Sequence, residues 1–258
     1  MNIGVSTACL YPMETEKALS KLAELGVRNI EIFFNADCEL NGAIYEEIKA
    51  VVRENAITVL SVHPYTSAIE TMTLFGDYPR RLTAIMDVYD RYFEIMNELG
   101  AKIFVLHGAL KSAHCPVELY LERYSKLFEL GKKRGITAAQ ENVSYCKSGD
   151  PDFLRKMRSQ LGDECAFVLD VKQALRSGLD PFGIMDIMGG RLVHCHLSDN
   201  TPERDCVPVG NGRLDFGRFV GELKKLNYSG GIILELYSSG FTELSQLKES
   251  VEYMKGYF

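Results

Sequence analysis

Long hydrophobic runs and paired cysteine motifs are both missing from this sequence of 258 residues. No apolar stretch approaches the roughly 18 residues of a membrane-spanning helix, so we expect neither a membrane protein nor a membrane partner. The first residues, MNIGVSTACLYPMETEKAL, have no basic segment followed by a long apolar one, and they predict no signal peptide. The seven cysteines include no C-x-x-C pair, and an odd number argues against a closed set of disulfides. We therefore expect reduced thiols in a cytoplasmic protein, and no zinc finger.

The sequence also has fewer basic residues than acidic ones. The chain has 29 lysines and arginines against 35 acidic residues, a net charge of −6 at pH 7. Such a surface repels phosphate backbones, so nucleic acid is not an expected partner. Neither glycine-rich phosphate loop, G-x-G-x-x-G or G-x-x-x-x-G-K-S/T, occurs in the sequence. Nucleotide cofactors therefore receive little support.

What the sequence does contain is a regular alternation of β-like and helical segments, with no linker or break in composition. The β-like runs are 2–7, 29–34, 57–65, 102–109, 136–143, 166–174, 191–199 and 231–238. We expect about eight helices, and helical patterns cover 14–26, 78–100, 116–135, 150–162, 180–190, 215–230 and 242–258. Alternation of this kind implies parallel strands joined by helical crossovers. Eight units in about 250 residues predict the α/β class and a single (β/α)8 TIM barrel domain over residues 1–258.

Seven successive predicted strands carry a carboxylate or an imidazole near their carboxyl ends, where barrel active sites are built. These residues are Glu31, His63, His107, Glu141, Asp170, His194 with His196, and Glu235. Any one of them alone is more often a satisfied polar group of the core. Seven together would cost several kcal/mol per buried charge without compensation. A divalent cation would supply that compensation.

Two histidines, His194 and His196, stand two residues apart in RLVHCHLSDN, so a strand would send both side chains to the same face. An isolated pair of this kind is more often structural. The carboxylates and imidazoles at the other strand ends favour the interpretation of His196 as a metal ligand. His194 stays open between a core residue and a residue that supports the site.

The order and spacing of several short motifs resemble the xylose isomerase-like TIM barrels, which include sugar isomerases, epimerases and endonuclease IV. The motifs are VHPY, LHGA, QENV, LDVKQ, HCHLSDN and LELY on predicted strands three to eight. The loop PVGNGRLDF, which follows strand seven in the sequence, also resembles the family's segment at that place. The resemblance covers essentially the whole chain. It is specific to the superfamily and not to one of its members.

The resemblance implies a metal site on strands five to eight. The matching ligand positions are Glu141, Asp170, His196 and Glu235. Three carboxylates and one imidazole suit one divalent ion, Mn²⁺ in the first place, with Mg²⁺, Co²⁺ or Zn²⁺ as alternatives. His63 and His107 match positions that face the substrate, or that hold further zinc ions in the endonuclease branch.

Two departures from the family pattern narrow this expectation. Many members have D-x-x-H on strand six, whereas this chain has Asp170-Val-Lys-Gln173. Gln173 can hydrogen-bond a substrate hydroxyl but is a poor metal ligand. The segment NTPERDCVPVGNG lacks the histidine that the endonuclease branch has after strand seven. A trinuclear zinc site and DNA cleavage are therefore disfavoured.

Lys172 is the residue that sets this sequence apart. If strand six extends through it, Lys172 shares a face with Asp170 and points into the same mouth. Together with Arg204 from the loop after strand seven, it is then placed to bind a carboxylate or phosphate of the substrate. The alternative is a salt bridge to a loop carboxylate.

The resemblance implies a metal-dependent isomerase or epimerase of a sugar or sugar phosphate. Glu141 and Glu235 would then move a proton through an enediolate. One alternative is a metal-dependent lyase similar to inosose dehydratase, and another is a DNA repair enzyme similar to endonuclease IV. A non-catalytic sugar-binding barrel is disfavoured because all four ligand positions are intact. The expected partner is a small sugar or sugar derivative, while the particular sugar and a homo-oligomeric state stay open.

Overall fold

In the computed structural model, which describes residues 1–258, eight parallel strands close into a barrel. Each strand is hydrogen-bonded to the next, and the last is hydrogen-bonded to the first. Every strand lies inside the β-like run predicted for it, so the predicted barrel is confirmed. The strands are β1 (Asn2–Ser6), β2 (Asn29–Phe33), β3 (Thr58–His63), β4 (Ile103–Leu106), β5 (Thr137–Glu141), β6 (Phe167–Asp170), β7 (Leu192–Leu197) and β8 (Gly231–Leu234).

Nine α-helices surround the barrel, and the seven predicted from the apolar pattern are all present. The helices are α1 (Thr15–Glu24), α2 (Gly42–Glu54), α3 (Pro79–Leu99), α4 (Val117–Arg134), α5 (Pro151–Leu161), α6 (Val171–Arg176), α7 (Pro181–Met188), α8 (Phe216–Lys225) and α9 (Ser245–Lys255). Two helix ends show why the pattern worked. Gly100 (φ 78°) and Gly135 (φ 72°) end α3 and α4 in the left-handed conformation that glycine adopts without strain.

The predicted extension of strand six through residues 171–174 is wrong, because α6 begins there. Asp170 ends β6 and caps the helix, since its Oδ1 accepts a hydrogen bond of 3.0 Å from the backbone N–H of Gln173. That bond pairs one of the N–H groups left free at a helix start. Lys172 therefore lies in the first turn of a helix and not on a strand.

The inside of the barrel has an apolar floor beneath a polar layer. Buried side chains of Val105, Ala139, Ala166 and Val168 form a small cluster separate from the main core between strands and helices. The two-residue period of a strand puts the polar ends of β4, β5 and β6 on the same face as this cluster, one layer higher. The floor thus fixes the level at which the polar side chains converge.

The loop between β7 and α8 is held by one buried carboxylate. Asp199 accepts hydrogen bonds from the backbone N–H groups of Gly210 (3.2 Å), Gly212 (2.8 Å) and Leu214 (3.0 Å). A Cβ on Gly212 would lie 2.3 Å from the backbone oxygen of Asn200, so only glycine fits at that position. The PVGNGRLDF segment is therefore a turn built around Asp199.

No helix combines the length and apolar character needed to cross a membrane. All seven cysteines are free, and Cys38 alone is exposed.

Candidate active site

The four predicted metal ligands meet at the carboxyl end of the barrel. Glu141 ends β5, Asp170 ends β6, His196 lies in β7 and Glu235 directly follows β8. One ligand atom from each lies within 4.8 Å of the ligand atoms of the other three. Residues that are far apart in sequence thus form one compact group of three carboxylates and one imidazole.

His196 lies at the centre of this group. Its Nδ1 is 3.3 Å from Glu141 Oε1 and 3.6 Å from Glu235 Oε2, and its Nε2 is 2.9 Å from Glu31 Oε2. Burial opposes a positive charge on His196, but the carboxylates of Glu31, Glu235 and Glu141 raise its pKa well above the ordinary value. A proton on this ring competes with a metal ion, because only the neutral imidazole can act as a ligand.

The donor set fits a hard or borderline divalent cation. Asp170 Oδ2 and Glu141 Oε2 are buried, and their charges are met by Lys172 Nζ at 3.3 Å and His107 Nε2 at 3.1 Å respectively. Burial, with the nearby charges of Glu141 and Glu235, raises the pKa of Asp170 to about 7 even though the Lys172 ammonium acts in the opposite direction. Three carboxylates around a single ammonium leave negative charge that a divalent cation would offset, and oxygen-rich sets with one imidazole suit Mn²⁺ or Mg²⁺.

Lys172 reaches the same group from the first turn of α6. Its Nζ lies 2.8 Å from Glu235 Oε2, 3.3 Å from Asp170 Oδ2 and 4.8 Å from the centre of the Tyr237 ring. Burial disfavours the charged lysine, but Asp170 and Glu235 raise its pKa well above the ordinary value. The side chain is 3% exposed, so this ammonium is a buried partner of two carboxylates and is not free to meet a distant anion.

His63 and His107 flank Glu141 on its other side. His63 Nε2 is 2.8 Å from His107 Nε2, which in turn lies 3.1 Å from Glu141 Oε2. Burial and the neighbouring His107 lower the pKa of His63, whereas Glu141 raises the pKa of His107 against the effect of burial. One ligand atom from each of the three residues falls within 4.8 Å of the others, so they too could hold a cation.

Glu31 is the site residue that the sequence left without a role. It is fully buried in β2, where its Oε2 accepts from Ser61 Oγ (2.7 Å) and contacts His196. His194 lies beside it, with Nε2 2.9 Å from Ser61 Oγ and 3.5 Å from Glu31 Oε2. His194 is paired in β7–β6 register with Val168 of the apolar floor, so it lies one layer below His196. Glu31 stands between apolar residues in the strand NIEIFF, and this feature of the sequence could have identified it as a site residue.

A cavity of about 310 Å³ opens above the four-residue group. His63, His107, Lys172 and Gln173 line it, together with Glu141, Glu235 and the aromatic rings of Tyr11, Phe33, Tyr145 and Tyr237. Its volume lies at the lower end of the roughly 300–1,000 Å³ of small-molecule binding sites, which combine apolar walls with a few polar groups. Gln173 is partly committed, since its Oε1 accepts a hydrogen bond of 3.1 Å from the backbone N–H of Ser144.

Arg204 does not line this cavity. It lies in the loop after β7, where its guanidinium donates to the backbone oxygen of Ser239 and borders a neighbouring cavity. The predicted pairing of Arg204 with Lys172 on one anion is therefore not the arrangement that the structure presents.

A buried acid, Glu70, supports the turn that carries His107. Its Oε2 accepts a hydrogen bond from the backbone N–H of Gly108, while its Oε1 has no partner. Burial raises the pKa of Glu70 to about 8, against the opposing effects of His107 and the Gly108 N–H. The negative charge of Glu141 adds to the rise in the pKa of Glu70.

We expect Glu70→Gln to flatten the dependence of stability on pH. Between an unfolded pKa of 4.5 and a folded value of about 8, the folded chain keeps a proton that the unfolded chain loses. The free energy of unfolding must then fall as pH rises through that window, by up to about 1.4 kcal/mol per pH unit. The amide keeps an acceptor for Gly108 but carries no proton that titrates.

Urea denaturation of the wild type and of Glu70→Gln at several values between pH 5 and 8 measures this difference. Glu164→Gln, at an exposed acid with no ion pair, is the matched control and should keep the wild-type slope. Parallel stability curves for wild type and Glu70→Gln would show that Glu70 is ionised in the fold.

Comparison with known proteins places this chain in a family. A family model described as xylose isomerase-like TIM barrel matches residues 19–257. An uncharacterized protein of Mycobacterium leprae is 22% identical over 286 residues, which cover 100% of this chain and 98% of that protein. The 3-dehydroshikimate dehydratase of Pseudomonas putida is 22% identical over 254 residues, which cover 93% of this chain and 39% of that protein.

Solved structures share the fold over the whole barrel. A D-tagatose 3-epimerase-like protein has a TM-score of 0.80 at 18% identity, covering 100% of this chain and 97% of its own. The D-allulose 3-epimerase of Methylomonas sp., in complex with D-allulose, has a TM-score of 0.79 at 16% identity, with coverage of 100% and 97%. A xylose isomerase-like TIM barrel protein of Mycobacterium smegmatis, in complex with magnesium, has a TM-score of 0.74 at 18% identity, with coverage of 94% and 87%. At sequence identities this low, the structural similarity shows a shared fold.

Proposed function

The chain belongs to the xylose isomerase-like TIM barrel family, and from that premise we propose that it is a metal-dependent isomerase or epimerase of a sugar or sugar derivative. The observation that carries the proposal is the meeting of Glu141, Asp170, His196 and Glu235 under a cavity of about 310 Å³. One of the solved structures is named as a D-tagatose 3-epimerase-like protein, and another as a D-allulose 3-epimerase in complex with D-allulose.

The proposed metal ligands are the same four residues, with Mn²⁺ as the first candidate and Mg²⁺, Co²⁺ or Zn²⁺ as alternatives. The magnesium complex of the Mycobacterium smegmatis relative supports a divalent ion in this fold. When bound, such an ion would polarise a substrate carbonyl as a Lewis acid and offset the negative charge that develops next to it.

The two glutamates perform the proton transfer in this proposal. Glu141 and Glu235 come from strands on different sides of the barrel and approach the substrate carbon from opposite faces. One carboxylate removes the proton next to the carbonyl, and the other carboxyl group returns a proton. Return to the opposite face of the same carbon inverts it, whereas return to the neighbouring carbon exchanges aldose and ketose. His63, His107 and Gln173 line the cavity and would orient the hydroxyl groups.

A lyase reaction is the second candidate, because one relative is a 3-dehydroshikimate dehydratase. The first step would be the same proton removal. The outcome would differ in that the neighbouring C–O bond breaks, and the hydroxyl takes up a proton from the protonated carboxyl group and leaves as water. The ammonium of Lys172, 2.8 Å from Glu235 Oε2, lines the same cavity and would offset negative charge on such a leaving group.

Product analysis separates the two candidates. We expect incubation with Mn²⁺ and a panel of ketoses, aldoses and hydroxy acids in D₂O to give a product of unchanged composition carrying deuterium at the inverted or isomerised carbon. Chelation should abolish the reaction, and added Mn²⁺ should restore it. A product lighter by one water identifies a lyase, and turnover that survives complete chelation contradicts both.

A further inference from the structure

A second cavity of about 630 Å³ lies beside the candidate active site. Its walls come from the end of α6 and from the loops after β7 and β8. Three guanidinium groups line it, those of Arg176, Arg204 and Arg213. In TIM barrels, the loops after strands seven and eight often form a site for phosphate.

Two of the three guanidiniums are not paired with a carboxylate. Arg176 forms an ion pair with Asp205 and donates to the hydroxyl of Tyr237 (2.6 Å). Arg204 donates to the backbone oxygen of Ser239, and Arg213 Nε donates to Asn200 Oδ1 (3.0 Å). Both of these partners are neutral, so each arginine keeps its full charge and has further N–H groups to donate.

Two carboxylates, Asp205 and Glu203, also line this cavity. Glu203 accepts a hydrogen bond of 3.0 Å from the hydroxyl of Thr201 and forms no ion pair. Since the charge of Asp205 is offset by Arg176, the two unpaired guanidiniums face one unpaired carboxylate, that of Glu203. The cavity therefore carries an excess of positive charge in a chain whose net charge is −6.

Tyr237 separates this cavity from the candidate active site and lines both. The Lys172 ammonium lies 4.8 Å from the ring centre and the Arg176 guanidinium carbon 5.0 Å from it. Because Lys172 is held by Glu235 and Asp170, the cations available to an anion are the arginines beyond Tyr237. A molecule bound over the metal ligands needs only to extend past this ring to reach them.

We propose that the arginine-lined cavity binds an oxyanion, a carboxylate or a phosphate, at the end of a substrate whose reacting carbons lie over Glu141 and Glu235. This inference rests on the proposed function and narrows it to acidic or phosphorylated sugars. The planar guanidinium donates two parallel hydrogen bonds, a geometry that matches both oxyanions. The turn that carries Arg213 is fixed by Asp199, so this donor is held in place before the ligand arrives.

The test uses full-length protein with Arg204→Gln and Arg213→Gln, and with Arg80→Gln as the matched control at an exposed arginine that forms no ion pair. Methyl phosphate is titrated into each protein and its binding is followed by ³¹P NMR. In parallel, kcat/KM is compared for a neutral sugar, its terminal phosphate and its terminal carboxylate. Bound Mn²⁺ is measured in every variant to show that the active site is intact.

We expect Arg204→Gln and Arg213→Gln each to weaken methyl phosphate binding by about 10-fold or more, as the loss of a charge-assisted pair implies. The same variants should lower kcat/KM for the charged substrate and leave the neutral one unchanged, and Arg80→Gln should match the wild type. The better of the phosphate and carboxylate substrates identifies which oxyanion the cavity takes.

Failure of this inference is distinguishable from failure of the proposed function. If a neutral sugar is turned over and methyl phosphate binds equally to wild type and variants, or does not bind at all, the oxyanion site is overturned and the isomerase stands. If no sugar is turned over but methyl phosphate binding depends on Arg204 and Arg213, the oxyanion site is supported and the proposed reaction falls.

Discussion

Glu141→Gln and Glu235→Gln are each expected to lower turnover by about 10²–10⁴-fold, the usual contribution of a positioned acid or base. The amide keeps the size of the side chain but neither takes up a proton nor offers a charged ligand atom. Glu141 is buried and Glu235 half-buried, and both carboxylates lie against His196. The assay is the rate of deuterium exchange from solvent into the bound sugar, measured together with kcat.

Glu129→Gln, at an exposed acid of α4 with no ion pair, is the matched control and should behave as the wild type. Mn²⁺ content is measured in each variant, because both glutamates are also proposed ligands. Near-native exchange in either variant with metal bound would show that the glutamate is not an obligatory base.

Lys172→Met is expected to destabilise the metal-free protein by about 3–5 kcal/mol, the usual cost of breaking a buried ion pair. The ammonium is the buried partner of both Glu235 and Asp170, and methionine leaves these carboxylates without it. Saturating Mn²⁺ should recover most of the loss, because the ion supplies the missing positive charge. The same substitution should tighten Mn²⁺ binding, since it removes a cation that competes for two of the ligands.

Chemical denaturation with and without Mn²⁺ measures both effects. Lys132→Met, at an exposed lysine in the last turn of α4, is the matched control and should change stability by less than about 0.5 kcal/mol. A loss of stability that is the same with and without Mn²⁺ would contradict an electrostatic role for Lys172.

The sequence predicted the barrel and the convergence of its polar strand ends because both depend on local periodicity. Glu141, Asp170 and His196 lie at or near the ends of strands whose alternating residues face the interior. Parallel strands in a closed barrel bring such ends together whatever the loops do. The order of the strands along the sequence was therefore enough to predict that these three residues lie close together.

Lys172 shows where this reasoning fails. The run AFVLDVKQA alternates like a strand, and nothing in its apolar pattern marks the change to a helix at Val171. The change depends on Asp170 capping the helix, which is a side-chain contact and not a period. Helix α2 was missed for a different reason, since it starts at a glycine, although Ile44, Ile48 and Val51 have helical spacing.

Arg204 shows the limit for loops. The residue was expected at the active site because it follows strand seven closely in sequence. Its position is set by the turn around Asp199 and by the contact with Ser239, and both depend on tertiary structure. Glu31 was visible as a buried acid, but its contact with His196 across the barrel depends on strand register.

A titration of chelated protein with Mn²⁺, followed by electron paramagnetic resonance, tests the central claim most directly. One ion per chain is expected for the wild type and for Asp87→Asn, a control at an exposed acid of α3. Removal of a contact that only supports a metal ligand typically lowers metal affinity by roughly 10–100-fold. Asp170→Asn removes a proposed ligand itself, so it should lower the affinity for Mn²⁺ by more than that. Absence of Mn²⁺ binding to the wild type, or equal affinity in Asp170→Asn, would contradict a metal centre formed by Glu141, Asp170, His196 and Glu235.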